Sequence, residues 1–458
     1  MLLQVNTASV LLNTVKNNFK NTDSEKVDIM KVKFYTLGCK VNQYESQAMG
    51  EALKKIGYEV TNDKAADVIV INSCTVTASA DQKTRQAVRR FKRNNPDAII
   101  VLTGCMPQAY PDKSNELPEA DIVLGNKNNK LLPELLLQYK KDCRRIFNVS
   151  QHIKGDAFSG DTITEFEERT RAYVKIQDGC NRFCSYCIIP YSRGRVRSKP
   201  IEQLKKEVEK LAENGYNEVV LVGINLSSYG QDTGRSFPEA VKTVNDVNGI
   251  ERVRLGSLEP DHLTDDVIEK LSSCEKLCPQ FHLSLQSGCD RTLKTMNRHY
   301  TVDEFRKIAL KLRKTFADCT LTTDVMVGFA GETDEDFNES LDFIREIGFE
   351  KVHVFPYSLR KGTRAEKLSG HLEQKIKDER CKIMIKETEK IRHNFFSSQI
   401  GKHFQVIPEV KDKDGHYSGY TANYIPVKYK SNAELHGRTV EIKITAIDDG
   451  DYCSAELI

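Results

Sequence analysis

Three cysteines, Cys180, Cys184 and Cys187, have the spacing C-x3-C-x2-C and give the strongest chemical signal in the chain. Three thiolates supply three ligands to a metal centre, whereas a closed structural zinc site needs a fourth Cys or His. The next His or Cys along the chain is His262. An iron–sulfur cluster with one iron that lacks a protein ligand fits this count, because that iron can bind a substrate or a cofactor.

Three other cysteines, which form the first set in chain order, are dispersed in sequence but follow matching elements. Cys39, Cys74 and Cys105 each come just after a predicted strand. The carboxyl ends of parallel strands lie along one edge of a doubly wound sheet, so we expect these thiols to converge. Gly38 and Gly104 precede two of them and allow the tight turns that close approach to a cluster requires. A lone cysteine at such a place is more typical of a small buried apolar residue, so the prediction depends on the three matching positions.

The elements that position these cysteines are predicted from alternating strand and helix patterns. Between residues 31 and 139 the alternation indicates a doubly wound, flavodoxin-like parallel sheet. Between residues 172 and 355 six strands with crossovers indicate a partial (β/α)6 barrel. The C-x3-C-x2-C loop follows its first strand, at the barrel end where active sites lie. Short alternating strands in residues 401–458 indicate a small β-barrel.

Domain boundaries follow from the same blocks. Residues 1–29 are polar and lack periodicity, which indicates a flexible extension, and residues 149–168 have the composition of a linker. The N-terminal domain then covers residues 30–148, the central barrel 169–396 and the C-terminal domain 397–458. At the start of the first helix, Asn42 is predicted as the N-cap, with Glu45 completing a capping box.

Composition excludes several classes of protein. The chain has 458 residues, 39% hydrophobic and 29% charged, and no apolar run approaches the roughly 18 residues that span a bilayer. Its first residues lack the layout of a secretory signal, so we expect a cytoplasmic protein. The 13 cysteines are an odd number, which favours metal or redox chemistry over complete disulfide pairing. The net charge of +3 indicates no particular partner.

Tyr186 immediately precedes Cys187, and the whole loop resembles the signature of the radical S-adenosylmethionine (SAM) superfamily. The resemblance implies that Cys180, Cys184 and Cys187 hold a [4Fe–4S] cluster whose open iron chelates the methionine part of SAM. Electron transfer from this cluster would cleave SAM to a 5′-deoxyadenosyl radical. The alternative for the same cysteines is a zinc knuckle.

Residues 36–46, TLGCKVNQYES, resemble the opening motif of the methylthiotransferases, a radical SAM family. This resemblance implies a second [4Fe–4S] cluster on Cys39, Cys74 and Cys105, which carries a sulfur atom that one SAM methylates. Within the family, the Lys-Val pair after Cys39 resembles the MtaB branch, which acts on N6-threonylcarbamoyladenosine in tRNA. The isopentenyladenosine branch typically has Gln-Met at this place, and the ribosomal-protein branch has Pro-Lys.

The resemblance also implies which residues contact SAM. One barrel strand end matches the segment that contacts the SAM amino group, the next offers a hydroxyl and a carboxylate, and a later strand lies along the adenine. Each pattern alone is typical of a turn. The implied SAM contacts are Tyr186, Gly223, Asn225, Ser257, Glu259, Gln286 and Asp324.

RNA binding is expected from the C-terminal domain and from two basic stretches. The domain resembles the TRAM module, a β-barrel that holds tRNA, and Tyr420 and Tyr424 are predicted to stack on bases. A cationic patch there would use Lys402, Lys428 and Lys430. The two stretches predicted to face phosphates are Lys83, Arg85, Arg89, Arg90, Lys92 and Arg93 on one helix, and Arg182, Arg193, Arg195, Arg197 and Lys199 beside the cysteine loop.

Together these implications predict a tRNA-modifying enzyme. It would add a methylthio group to C2 of N6-threonylcarbamoyladenosine at position 37, using one SAM as methyl donor and a second as radical source. A low-potential electron donor such as flavodoxin or ferredoxin is implied, and no membrane partner. Two alternatives stay open: methylthiolation of isopentenyladenosine-37, and a non-catalytic, zinc-containing RNA-binding protein.

Overall fold

The computed structural model describes residues 29–160, 162–165, 170–435, 437–448 and 452–458. The predicted N-terminal extension lies outside these residues except for Ile29, and the predicted linker is described only in part. Three units follow one another: a sheet-based N-terminal unit, a central barrel and a small C-terminal barrel. No helix within the described ranges has the length and apolar character needed to cross a membrane.

The N-terminal unit is built on a parallel sheet. Its strands are β1 (Lys31–Thr36), β2 (Glu59–Val60), β3 (Val68–Ser73), β4 (Ile99–Gly104), β5 (Ile122–Leu124) and β6 (Ile146–Asn148). They pair in the order β2-β1-β3-β4-β5-β6, which confirms the predicted doubly wound, flavodoxin-like sheet. The strand order reverses between β1 and β3, so a crevice opens at their carboxyl ends.

Helices cover both faces of this sheet, because its central strands are apolar at consecutive positions. Every residue of β3, with the sequence VIVINS, is buried. Val70 packs in one core with Leu132, and Ile71 packs in the other with Val88. The helices are α1 (Lys40–Lys54), α2 (Ala78–Asn94), α3 (Cys105–Ala109), α4 (Pro111–Asn115) and α5 (Leu132–Asp142), with a 3-10 helix at Asn126–Leu131.

The start of α1 differs from the sequence prediction. The helix begins at Lys40 with Cys39 as its N-cap residue, so Asn42 and Glu45 lie inside the helix and form no capping box. The prediction was wrong because the central barrel binds both side chains. Arg193 donates to Asn42 Oδ1 at 2.7 Å and to Glu45 Oε2 at 2.9 Å. A buried contact between units thus replaces local capping.

The central unit is an open barrel of parallel strands. Its strands are β7 (Arg171–Lys175), β8 (Gln177–Asp178), β9 (Arg197–Ser198), β10 (Glu218–Val222), β11 (Arg252–Leu255), β12 (Ser257–Leu258), β13 (Gln280–Gln286), β14 (Thr320–Val327) and β15 (Lys351–Pro356). Strands β7, β10 and β11 form one sheet, and β12 to β15 form another. Gly256 alone separates β11 from β12, so the two act as one strand. Strands β8 and β9 pair with each other, antiparallel, in a separate two-stranded sheet. The six parallel strands that remain confirm the predicted partial barrel.

Helices surround this barrel and share one core with its strands. Three of them begin with a capping box, formed by Ser236, Thr301 and Thr333 with the acidic residue three positions later. The helices are α6 (Ile189–Arg193), α7 (Ile201–Glu213), α8 (Phe237–Asn245), α9 (Asp265–Ser272), α10 (Asp290–Thr295), α11 (Val302–Thr315), α12 (Asp334–Ile347) and α13 (Gln374–Ser397), with 3-10 helices at Leu226–Ser228, Pro260–His262 and Arg364–Lys367.

The C-terminal unit is a small closed barrel, as predicted. Its strands are β16 (His403–Lys411), β17 (His416–Thr421), β18 (Pro426–Lys430), β19 (Val440–Ile447) and β20 (Cys453–Leu457). They close in the order β16-β17-β18-β20-β19 around a core that includes Val406, Tyr417 and Val427. Strand β17 was not predicted from the sequence.

Buried polar contacts join the three units. Lys175 Nζ of the central barrel lies 2.7 Å from Glu45 Oε1 of the N-terminal unit. On the other side, Arg254 donates to the carbonyl oxygens of Thr421 and Ala422 at 2.7 and 2.8 Å. These contacts place the carboxyl edge of the N-terminal sheet and the C-terminal barrel on the same central unit.

Candidate cluster sites and the cavity beside them

The first cysteine set lies at the carboxyl edge of the N-terminal sheet. Cys39 precedes α1, Cys74 follows β3 and Cys105 opens α3. Asn42 Oδ1 lies 3.8 Å from Cys39 Sγ and 4.0 Å from Cys105 Sγ. A Cβ atom on Gly38 would lie 3.1 Å from Cys74 Sγ, so the turn before Cys39 packs on Cys74. The structure therefore brings these three predicted ligands together.

The turn before Cys105 requires glycine. Gly104 has a φ of 95°, a conformation that residues with a side chain rarely adopt. A Cβ atom there would also lie 2.5 Å from the amide nitrogen of Ser73. Glycine at this position therefore allows the end of β4 to approach β3 closely, which brings Cys105 near Cys74.

A buried arginine of the central barrel lies among these thiols. Arg193 is 1% exposed, and its Nε donates to Cys105 Sγ at 3.3 Å. Burial raises the pKa of Cys105 to about 12, and the positive charge of Arg193 acts against that rise. Because the thiolate is the form that binds a metal, Arg193 favours the ligand form of Cys105.

Arg193 belongs to the basic stretch that was predicted to face RNA phosphates. That interpretation is wrong for Arg193 and for two of its neighbours, because all three are buried against carboxylates. Arg197 lies 3.4 Å from Asp178, and Lys199 pairs with Glu207. Their charges neutralise acidic groups inside the protein, so they are not available to phosphates.

The C-x3-C-x2-C loop runs between β8 and α6. Backbone hydrogen bonds hold its shape: the amide of Cys180 donates to the carbonyl of Gly194 at 3.0 Å, and the amide of Cys187 donates to that of Cys184 at 2.9 Å. The loop lies at the carboxyl end of the first barrel strands, where the barrel architecture places ligands.

Two polar side chains contact the sulfurs of this loop. Asn225 Nδ2 lies 3.8 Å from Cys180 Sγ, and Arg298 Nη1 lies 3.4 Å from Cys184 Sγ. Burial raises the pKa of Cys180, and the contact with Asn225 lowers it. Arg298 also pairs with the buried carboxylate of Glu259. Arg298 was not predicted from the sequence, since an arginine in a polar loop after α10 gives no local pattern.

Two further predicted SAM contacts lie near the loop. The ring of Tyr186 packs edge-on against Phe329, with centroids 6.2 Å apart. Gln286 ends β13 with a φ of 69°, two residues after Ser284. The carbonyl of Ser284 accepts from Arg298 at 2.8 Å. Asn225 thus contacts the cysteine loop directly, and Glu259 is linked to it through Arg298. Gln286 lies on the strand that Arg298 also contacts.

The remaining predicted SAM contacts line a cavity of about 790 Å³. Gly223, Ser257 and Asp324 line it from the central barrel, and Cys39 and Lys40 line it from the N-terminal unit. A volume of this size suits a ligand as large as a nucleoside. The cavity therefore joins a cysteine of the first set to the strand ends that are predicted to contact SAM.

Asp324 forms a polar cluster on the wall of this cavity. Its Oδ2 lies 3.2 Å from His282 Nε2, and His353 completes a group whose donor atoms lie within 4.8 Å of one another. Burial lowers the pKa of His353, so its imidazole favours the neutral form. Among the residues described, this is the one trio of His, Cys, Asp or Glu whose donor atoms are grouped closely enough to hold a metal ion.

Lys40, on the wall of the cavity, has a pKa below the usual value for lysine. Burial lowers its pKa to about 8, and the positive charges of Arg171 and Arg254 lower it further. Glu218 acts in the opposite direction. From the sequence, Lys40 could be recognised only as part of a motif. Its electrostatic surroundings could not be predicted, because its charged neighbours are distant in sequence.

The C-terminal barrel contributes two tyrosines to the cavity wall. Tyr420 and Tyr424 stack on each other with centroids 4.3 Å apart, and Arg171 lies 5.1 Å from the centre of the Tyr420 ring. Each ring covers one face of the other and Arg171 lies beside the pair, so the stacking of RNA bases on their outer faces stays a prediction. Of the predicted cationic patch, Lys428 pairs with Asp412 at 3.2 Å.

Family comparisons agree with this architecture. Residues 31–125 match the family described as "Uncharacterized protein family UPF0004", and residues 174–344 match the radical SAM superfamily. Among solved structures, the radical SAM methyltransferase TsrM from Kitasatospora setae aligns with a TM-score of 0.54 at 14% identity, covering 71% of this chain and 72% of that chain. At this identity the likeness concerns the fold alone.

Full-length relatives identify the family. The threonylcarbamoyladenosine tRNA methylthiotransferase MtaB of Bacillus subtilis is 38% identical over 90% of this chain and 93% of its own length. The protein of the same name from Thermotoga maritima is 35% identical, covering 93% and 98%. The tRNA-2-methylthio-N(6)-dimethylallyladenosine synthase of Clostridium tetani is 35% identical, covering 95% and 97%. The chain therefore belongs to the radical SAM methylthiotransferase family, which confirms the resemblance identified from its sequence.

Proposed function

We propose that this protein adds a methylthio group to C2 of N6-threonylcarbamoyladenosine at position 37 of tRNA. One observation carries the proposal: a single cavity is lined by Cys39 and by the predicted SAM contacts Gly223 and Ser257. A sulfur donor and SAM held at these places would reach the same base. The names of the MtaB relatives, up to 38% identical, supply the choice of substrate.

The donor sets fit two [4Fe–4S] clusters. The C-x3-C-x2-C loop would hold one and leave an iron open for SAM, and Cys39, Cys74 and Cys105 would hold the other. A closed structural zinc site takes four Cys or His ligands, whereas each set offers three thiolates. A [4Fe–4S] cluster with one open iron takes three, so this count favours clusters over the zinc-containing alternative.

When bound, the clusters and SAM supply an electron for SAM cleavage, a methyl group and the sulfur that is transferred. The chain contributes charge and hydrogen bonding at their ligands. Asn225 and Arg298 donate to sulfurs of the C-x3-C-x2-C loop, and Arg193 donates to Cys105. Donors of this kind stabilise negative charge on ligand sulfur and tune the reduction potential. The C-terminal barrel closes one wall of the cavity, which limits access of water.

The partners follow from this chemistry. Cleavage of SAM requires a low-potential electron donor, and a flavodoxin or a ferredoxin is the proposed kind. The proposed tRNA substrate supports a cytoplasmic location for the protein.

A Cys105→Ala protein tests the second cluster. Its iron content is expected to fall from about eight to about four atoms per chain, because one of the two cluster sites loses a ligand. It should still form 5′-deoxyadenosine from SAM but should not methylthiolate RNA. Iron analysis and mass spectrometry of nucleosides measure the three effects. A Cys143→Ala protein, altered at an exposed cysteine outside both sets, is the control. Full iron content in Cys105→Ala would remove Cys105 from the ligand set.

The substrate is tested by mass spectrometry of tRNA nucleosides from a strain that lacks the gene. Loss of 2-methylthio-N6-threonylcarbamoyladenosine, with its precursor accumulating, is the expected result. Loss of the isopentenyl counterpart would instead assign the protein to the sibling reaction. An unchanged profile would contradict a tRNA substrate, provided that the strain has no second enzyme for the same nucleoside.

A further inference from the structure

The cavity is lined by a lysine that forms no hydrogen bond or ion pair with the residues that the structure describes. Lys40 is the first residue of α1, follows Cys39 and is exposed to the cavity. Its nearest aromatic neighbour is Tyr173, with the ring centre 6.0 Å from Nζ. Among the residues that the structure describes, none forms a hydrogen bond or an ion pair with Lys40. Its ammonium group is therefore free to bind a ligand.

The surrounding charges make an anionic ligand favourable. Arg171 and Arg254 repel Lys40, and Glu218 attracts it. Glu218 is already engaged, since its Oε1 lies 2.7 Å from Arg254 Nε and 3.7 Å from Arg171 Nη1. One carboxylate thus faces two guanidinium groups as well as the ammonium group. An ammonium group at the cavity surface beside two guanidinium groups gains most from a ligand that brings a negative charge.

The substrate of the proposed function carries such a charge. The threonylcarbamoyl group on N6 ends in a carboxylate, whereas an isopentenyl group is neutral and apolar. On adenine, C2 and C6 both flank N1, so the N6 substituent lies on the same edge of the base as C2. If C2 of the base faces a sulfur carried by the cluster that Cys39 would ligate, the N6 substituent lies on the same side. Lys40, which follows Cys39, is then within its reach.

We propose that Lys40 binds the carboxylate of the threonylcarbamoyl group and thereby selects this substrate. The inference rests on the proposed function. A neutral alkyl group in the same position would bury the ammonium group without an anion, which is unfavourable. Lys40 would thus act both by attracting the correct nucleoside and by rejecting the isopentenyl one. This agrees with the Gln-Met pair that replaces Lys-Val in the sibling branch.

The test compares RNA ligands that differ only in charge. Anticodon stem-loops carry N6-threonylcarbamoyladenosine at position 37, either as the free acid or as its methyl ester, and bind the cluster-loaded enzyme without oxygen. The wild-type protein is expected to bind the acid more tightly than the ester. In Lys40→Gln this preference should fall by about 10- to 100-fold, the range for a charged hydrogen bond. Lys40→Arg, which keeps the charge, should retain most of it.

Two controls separate selection from damage. Lys55→Gln makes the same change at the exposed C-terminal end of α1 and should behave as the wild type. The iron content of Lys40→Gln should match that of the wild type, which excludes loss of the neighbouring cluster as the cause.

The results also distinguish the inference from the proposed function. If Lys40→Gln distinguishes acid from ester as well as the wild type does, Lys40 does not bind the carboxylate and the inference is overturned. In that case methylthiolation of the acid RNA by the wild type would leave the proposed function intact. If the wild type cleaves SAM but modifies only isopentenyladenosine RNA, the proposed function fails and the inference fails with it.

Discussion

A Cys184→Ala protein is expected to form no 5′-deoxyadenosine above the uncatalysed background. Cys184 is one of three thiols in the C-x3-C-x2-C loop, and its sulfur accepts a hydrogen bond from Arg298 at 3.4 Å. With two thiols left, the loop cannot hold a cluster that also presents an open iron to SAM. The measurement is chromatography of the nucleoside products after chemical reduction in the presence of SAM.

Two comparisons make this result specific. The Cys143→Ala protein should form 5′-deoxyadenosine as the wild type does, because its cysteine lies outside both sets. The Cys105→Ala protein should also form it, since its defect lies in the other set. Undiminished 5′-deoxyadenosine from Cys184→Ala would mean that this loop does not hold the cluster that binds SAM.

The second large effect is expected from Arg193→Met. Arg193 joins the central barrel to the N-terminal unit, and its removal leaves the carboxylates of Glu45 and Asp178 buried with less positive charge. Loss of one partner from a buried ion pair typically costs about 3–5 kcal/mol. We expect a destabilisation of this size, measured as a lower midpoint of unfolding in urea without oxygen.

The control lies two residues further along the chain. Arg195 is exposed, and its guanidinium lies 4.5 Å from the centre of the Phe183 ring, so Arg195→Met should change the midpoint little. Arg193→Lys keeps the charge but loses the planar group that contacts Asn42, Glu45 and Cys105 together. Its stability should be intermediate, and the electron paramagnetic resonance spectrum of the second cluster should change. Equal midpoints for Arg193→Met and Arg195→Met would contradict a role for Arg193 in joining the units.

Most of the fold was predictable because its signals are local. Apolar strands such as β3 and β4 and the helices between them produce the alternation that identifies a doubly wound sheet. Strand β2 has only two residues and β6 only three, too few for a periodic pattern, so both edge strands were missed. Strand β17 contains Gly419 and three polar or small residues, a composition that resembles a turn.

The candidate site was predictable where chemistry follows spacing along the chain. The C-x3-C-x2-C loop is contiguous, and the first set of cysteines could be found because each follows a strand of one sheet. Arg193, Arg298 and Lys40 could not be assigned, because their partners are far away in sequence. Arg193 is 88 residues from Cys105. The residues next to Arg193 in the sequence therefore indicated only a basic stretch.

That separation of 88 residues also has a consequence for biosynthesis. The N-terminal unit leaves the ribosome with all three cysteines of the first set, but the cation that favours the thiolate of Cys105 has not yet been synthesised. Domains fold in order as they emerge, so the edge of the sheet stays without its arginine until helix α6 has been made and has docked. Maturation of the first cysteine set is thereby coupled to folding of the central barrel, and a nascent chain that stops before α6 would offer iron only an incomplete site.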